Sequence, residues 1–150
     1  MLRNGWYSEN YTASAKASVE QDAVFGSAKQ GRLSTAAGAD YAEAAAIVIQ
    51  SDDQAGRVYE LAGDAAFTLD EYASFLSAAS GEKVVYNDMP QGEFSSVLTS
   101  IGLPQGLAEV LADSDVGASK GGLFDDQRAL SALIGHPTTP IQDSIREALT

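Results

Sequence analysis

Asn4, Gly5, Trp6 and Tyr7, with Asn10 close behind, gather carboxamides, an indole and a phenol around a glycine. These types suit a planar ligand. A flat aromatic stacks on such a ligand or shields it from water, a glycine lets backbone approach a ring, and an amide bonds a carbonyl or carboxamide. The same residues also serve a purely structural end, aromatic packing with a helix cap.

The other reactive types form no recognisable machinery. His136 lies between Gly135 and Pro137, no Gly-x-Ser-x-Gly elbow occurs, and it reads as a turn histidine rather than a member of a hydrolytic triad. Tyr11 and Lys16 do not have the Tyr-x-x-x-Lys spacing of a reductase acid–base pair and would not share a helix face. Gly117 to Gly122, with Ser119 and Lys120, lacks the Walker spacing and a preceding strand; it reads as a glycine-rich break, a flexible loop or lid with Phe124 packed beneath. Asp52-Asp53, Asp113-Asp115 and Asp125-Asp126 read as solvated surface and helix caps rather than carboxylate dyads. With no cysteine and one histidine, thiolate or imidazole metal clusters are excluded, and no Asp-rich loop has calcium-binding spacing. Neither a catalytic residue nor a metal ligand is assigned. Asn10-Tyr11-Thr12 matches the glycosylation pattern, but nothing suggests secretion.

Positioning these residues falls to short elements. Tyr11, Ala15 and Val19 predict a helix between Tyr7 and about Asp22; Ala23-Val24-Phe25 and Arg32-Leu33-Ser34 predict strands around a turn. Asp40, with Glu43, is expected to cap a helix through Ala44 to Ile49 that closes at Gln54-Ala55-Gly56. Arg57 to Leu61 alternates as a strand. Thr68-Leu69-Asp70-Glu71 is a capping box, followed by Leu69, Tyr72, Ala73 and Leu76 at helical spacing up to Gly81, then a strand at Val84-Val85-Tyr86. The last third is helical, with apolar stripes Phe94/Val97/Leu98/Ile101, Leu107/Val110/Leu111 and Leu130/Leu133/Ile134; Thr139, Pro140 and Gln142 are expected to start the final helix.

At 150 residues, 45% hydrophobic and 20% charged, the chain is long enough for a core of its own. A net charge of −12 repels phosphate backbones and anionic membrane surfaces, so neither nucleic acid nor membrane is an expected partner. No apolar run is long enough to span a bilayer and residues 1–10 lack signal-peptide character, which makes a cytoplasmic location the default expectation.

Five stretches carry a family resemblance. They are Leu2-Arg3-Asn4-Gly5-Trp6-Tyr7-Ser8-Glu9-Asn10, Ala39-Asp40-Tyr41-Ala42, Val58-Tyr59-Glu60-Leu61-Ala62-Gly63-Asp64, Asp113 through Phe124, and Gly135-His136-Pro137-Thr138-Thr139-Pro140. In type and order they resemble the C-terminal half of the NmrA-like, atypical short-chain reductases, in particular bacterial NAD(P)H:quinone oxidoreductases. The resemblance implies an α/β chain holding an incomplete dinucleotide-binding fold: the last sheet strands plus a mostly helical substrate-side lobe. Residues 1–66 would be the C-terminal part of the dinucleotide-binding domain and residues 67–150 the helical substrate-binding lobe.

The activity implied is hydride transfer from nicotinamide to a quinone, which needs orientation more than a strong acid or nucleophile. Asn4, Gly5 and Asn10 would contact the nicotinamide end of the cofactor, while Trp6, Tyr7 and Phe124 would contact the quinone. No Gly-x-Gly-x-x-Gly follows a strand, so NADP or NAD is expected to bind only with an N-terminal half that these residues do not include. That half, or a second copy, is the expected macromolecular partner. The alternative expectation is a non-catalytic redox-sensing or protein-interaction module.

Overall fold

A computed structural model describes residues 1–150, with elements in the order β1 Leu2–Asn4, α1 Glu9–Thr12, α2 Ala15–Glu20, β2 Ala23–Gly26, α3 Gly38–Gln50, β3 Tyr59–Leu61, α4 Leu69–Ser80, β4 Val85–Asp88, α5 Gln91–Ser100, α6 Gln105–Ser119, α7 Ala129–Ile134 and α8 Ile141–Leu149. It is α/β, with two two-stranded parallel pairings, β1 with β3 and β2 with β4. Parallel neighbours require crossovers, and both pairs are made across intervening helices.

The chain forms two compact units, each assembled from separated stretches. One comprises Met1–Lys16, Ser34–Ala66 and Asp125–Thr150; the other comprises Ala17–Leu33 and Phe67–Phe124. The chain passes between the units at Ala66/Phe67 and at three other points.

In the first unit, Ala36, Tyr41, Ala44, Leu61, Leu130 and Ile134 form one apolar cluster, with Leu2, Ile47, Tyr59 and Leu133 against it. It joins α3, β3 and α7, and each large side chain so buried is worth ~1.5–3 kcal/mol. The start of α3 differs from expectation. Asp40 is inside the first turn, not at the cap, and is buried. Its carboxylate accepts the Thr139 backbone N–H at 2.8 Å and the Thr139 hydroxyl at 3.0 Å. The N–H of Gly38 is met instead by Glu9 Oε1 at 2.9 Å. Glu43 turns to His136 Nε2 at 3.1 Å, and the bonds to Pro137 and Glu43 raise the imidazole pKa. With Thr139 committed to Asp40, α8 starts at Ile141, and Pro140, expected as its first residue, stands at the cap position with no side-chain cap. α3 ends at Gln50, ahead of the expected Gln54–Gly56 stop.

The second unit buries Val24, Leu33, Phe67, Leu69, Tyr72, Leu76 and Phe94. Here the α4 capping box is formed as expected: Thr68 Oγ1 accepts from Glu71 N–H, and Glu71 Oε2 accepts from Thr68 N–H. Gly81 closes the helix with φ of +80°, a conformation that costs other residues more than glycine. Arg32-Leu33-Ser34 is not a strand; only Leu33 makes a bridge, to Phe67. The stretch from Tyr7 to Asp22 breaks into α1 and α2 rather than one helix.

α5 and α6 pack as a helical hairpin. The expected Leu107/Val110/Leu111 stripe is not the buried face of α6: Leu107 and Val110 are exposed, and Ala108, Ala112, Asp115 and Ala118 point inward. Small side chains let α6 approach its neighbours closely. Ile101, expected in the α5 stripe, is also exposed. α6 continues through Gly117 to Ser119, so the glycine-rich break is confined to the turn after it, and Phe124 is exposed rather than packed beneath a loop.

Candidate functional site

The sequence places its candidate residues at the C-terminal end of β1, where open α/β sheets present ligand-binding loops. The ladder with β3 runs past the strand: Gly5 N–H donates to the Leu61 carbonyl at 2.7 Å. A Cβ on Gly5 would sit 2.9 Å from that oxygen, so the glycine is needed here for backbone contact with β3. The next residues cross to Ala36, whose N–H donates to the Trp6 carbonyl at 3.3 Å and whose carbonyl accepts Ser8 N–H at 2.9 Å. Ser8 is fully buried with its hydroxyl 3.0 Å from that of Thr35. The loop is therefore pinned on both flanks, and the residues between the pins are presented on fixed backbone.

Tyr7 stacks at a tilt on Tyr41, with ring centroids 4.7 Å apart and planes at 53°. Tyr41 is buried and its hydroxyl donates toward the carbonyls of Trp6 and Leu61 at 3.4 and 3.5 Å. Burial first, then the neighbouring Tyr7, pushes the Tyr41 phenol well above its ordinary value, so it is a neutral donor. Tyr7 is 36% exposed, and its phenol oxygen accepts Asn4 Nδ2–H at 2.8 Å. Trp6 is half-buried; Asn4 and Asn10 are exposed. Asn4 and Tyr7 are thus joined through their side chains, Gly5 and Trp6 are fixed between them by backbone bonds, and Asn10 is tied in by its N–H to the Tyr7 carbonyl at 3.1 Å. Phe124 lies in the other compact unit.

Arg3 Nη1 pairs with Glu60 Oε1 at 2.7 Å, and Glu9 Oε1 accepts the Gly38 N–H at 2.9 Å while keeping its charge. What remains is an amide and phenol donor set beside aromatic surface. Such a set fits the carboxamide end of a nicotinamide or a carbonyl-bearing ring. It does not fit a diphosphate, which calls for cationic groups or a helix N-terminus.

Two cavities lie within single units, each with polar side chains set among apolar surface. One of about 290 Å³ in the first unit is lined by Thr35, Asp64, Arg128, Thr138 and Thr139 among others. Asp64 is engaged there by Ser131 Oγ at 2.6 Å and Thr138 N–H at 3.2 Å. Another, of about 760 Å³, runs along α5 and α6 between Gln91, Ser95, Thr99, Gln105 and Glu109.

One cluster escaped the sequence reading. In the second unit three successive backbone N–H groups are taken by acidic or phenolic side chains: Ser27 by Asp115 Oδ2 at 2.8 Å, Ala28 by Tyr86 Oη at 3.0 Å and Lys29 by Asp88 Oδ1 at 2.8 Å. Asp115 is 8% exposed, not the solvated surface group expected, and burial raises its pKa to about 6 against the opposing Ser27 hydrogen bond. The signal was its place on the Ala108/Ala112/Ala118 face, where a carboxylate among alanines marks a buried acceptor.

No family model matches the chain. It is 55% identical over 145 residues to Quinone oxidoreductase 2 of Escherichia coli, covering 97% of this chain and 51% of that protein. A crystal structure of an NADPH-dependent quinone oxidoreductase from Escherichia coli superposes with a TM-score of 0.96 at 53% identity, over 99% of this chain and 54% of the other. The Citrobacter sp. triphenylmethane reductase complexed with NADP(H) gives 0.91 at 29% identity, over 97% of this chain and 51% of the other. The chain spans about half the length of the relatives it matches.

Proposed function

We propose, on the premise that these residues carry the C-terminal part of an NmrA-like NAD(P)H:quinone oxidoreductase fold, that the chain supplies the nicotinamide-side loop and substrate-side lobe of an NAD(P)H-dependent quinone reductase. The observation that carries this reading is the 55% identity extending over 97% of the chain, with the pinned amide and aromatic loop inside it. When bound, the nicotinamide supplies the hydride. The chain's own residues bind and orient: Asn4, Gly5 and Asn10 face the carboxamide end, and Trp6 and Tyr7 flank the acceptor ring. Residues 1–66 would serve the cofactor side and residues 67–150 the substrate lobe.

Diphosphate recognition is proposed to come from a complementing N-terminal half, because no glycine-rich phosphate loop occurs in the 150 residues. The chain alone is then inactive. No helix is long and apolar enough to cross a membrane, and the reaction is proposed for the cytoplasm.

Trp6 is the sole tryptophan, so its fluorescence reports on the proposed site alone. Titration with menadione is expected to quench it saturably. A linear, unsaturable response would overturn the reading.

A further inference from the structure

We propose that Tyr7 is the polar anchor of the acceptor, its phenol O–H donating to a ring carbonyl oxygen, and that Asn4 is the positioning residue that holds this proton outward. The inference rests on the reading above that the end of β1 lines the acceptor site.

A phenol has one proton to give and an oxygen that accepts. The accepting side of Tyr7 is taken by Asn4 Nδ2–H at 2.8 Å. Its proton has no such partner. The nearest phenol, Tyr41, is turned inward toward the carbonyls of Trp6 and Leu61, and Glu9 Oε1 accepts the Gly38 N–H rather than the Tyr7 phenol. Backbone hydrogen bonds from Gly5 to Leu61 and from Ser8 to Ala36 fix the loop, and the Tyr41 ring at 4.7 Å fixes the Tyr7 ring. The result is a donor of set direction on a half-exposed aromatic plane. A planar molecule that brings a carbonyl oxygen gains a hydrogen bond there, whereas a hydrocarbon of the same outline gains only stacking. The site therefore selects quinone-type acceptors over apolar rings by Tyr7, with Asn4 setting its polarity.

Equilibrium dialysis of the chain with menadione and with 2-methylnaphthalene tests this directly. Menadione is expected to bind more tightly. Tyr7→Phe keeps the ring and removes the donor, so menadione affinity should fall by about five- to tenfold, the loss of one neutral hydrogen bond, while 2-methylnaphthalene is unchanged. Asn4→Asp leaves Tyr7 in place but offers it only an acceptor, which draws the phenol proton inward; the same selective loss is expected. Equal menadione affinity in wild type and Tyr7→Phe overturns the anchor, and equal affinity in Asn4→Asp overturns the positioning role. Wild-type binding of menadione no tighter than that of 2-methylnaphthalene overturns both. Uptake of neither probe overturns the inference together with the acceptor-site reading on which it stands.

Discussion

Asp115 shows how much one buried side chain can set. Its carboxylate faces Ser27 N–H, with Asp88 and the Tyr86 phenol on the adjoining strand, and burial raises its pKa from 3.8 to about 6. A carboxyl that holds its proton more tightly when folded makes the native state less stable as pH rises from about 4 to about 6, by up to about 3 kcal/mol, with no further change above that window. Urea unfolding across this range should show the fall. In Asp115→Asn, whose amide oxygen still accepts from Ser27, the slope should disappear and stability at neutral pH should rise by about 1–2 kcal/mol; a variant less stable than wild type at neutral pH would contradict this. Gly26 is crowded by the same carboxylate, since an added Cβ would lie 2.7 Å from Asp115 Oδ2 and 2.8 Å from Leu69 Cδ1. Gly26→Ala should cost about 1–3 kcal/mol in the same assay.

At the scale of elements, legibility in the sequence followed the distance between partners. The Thr68/Glu71 box is read correctly because both residues lie within one turn, and Thr68→Ala should cost about 1 kcal/mol in thermal unfolding. The start of α3 is misread because its cap comes from Glu9, and Asp40, locally a good cap, is recruited by Thr139. That bond spans 99 residues and ties α3 to the start of α8. Removing it in Asp40→Ala leaves a half-buried N–H and hydroxyl without this acceptor, and about 1–3 kcal/mol of stability should be lost. α6 is misread for another reason. Its leucine and valine stripe outscores the alanine face by hydrophobicity, but close helix packing selects the small face. The candidate loop itself was legible as a cluster of types. Its pinning to Leu61 and Ala36 was not, because both partners are distant in sequence.

At the scale of the whole molecule, the chain matches about half of each oxidoreductase it resembles, and its donor set suits a carboxamide and a ring carbonyl rather than a diphosphate. Its charge of −12 fits a small-molecule function better than a polyanionic partner. These residues are proposed to form the acceptor side of a nicotinamide-dependent quinone reductase whose cofactor side is supplied by a complementing N-terminal half. The most direct measurement is NADPH consumption, followed by its near-ultraviolet absorbance with menadione as acceptor, for the chain alone and for the chain joined behind the cofactor-binding half of the Escherichia coli relative. No turnover is expected from the chain alone, and menadione-dependent turnover is expected from the joined protein. Turnover by the chain alone, or a folded joined protein that binds NADPH and leaves menadione unreduced, would contradict this.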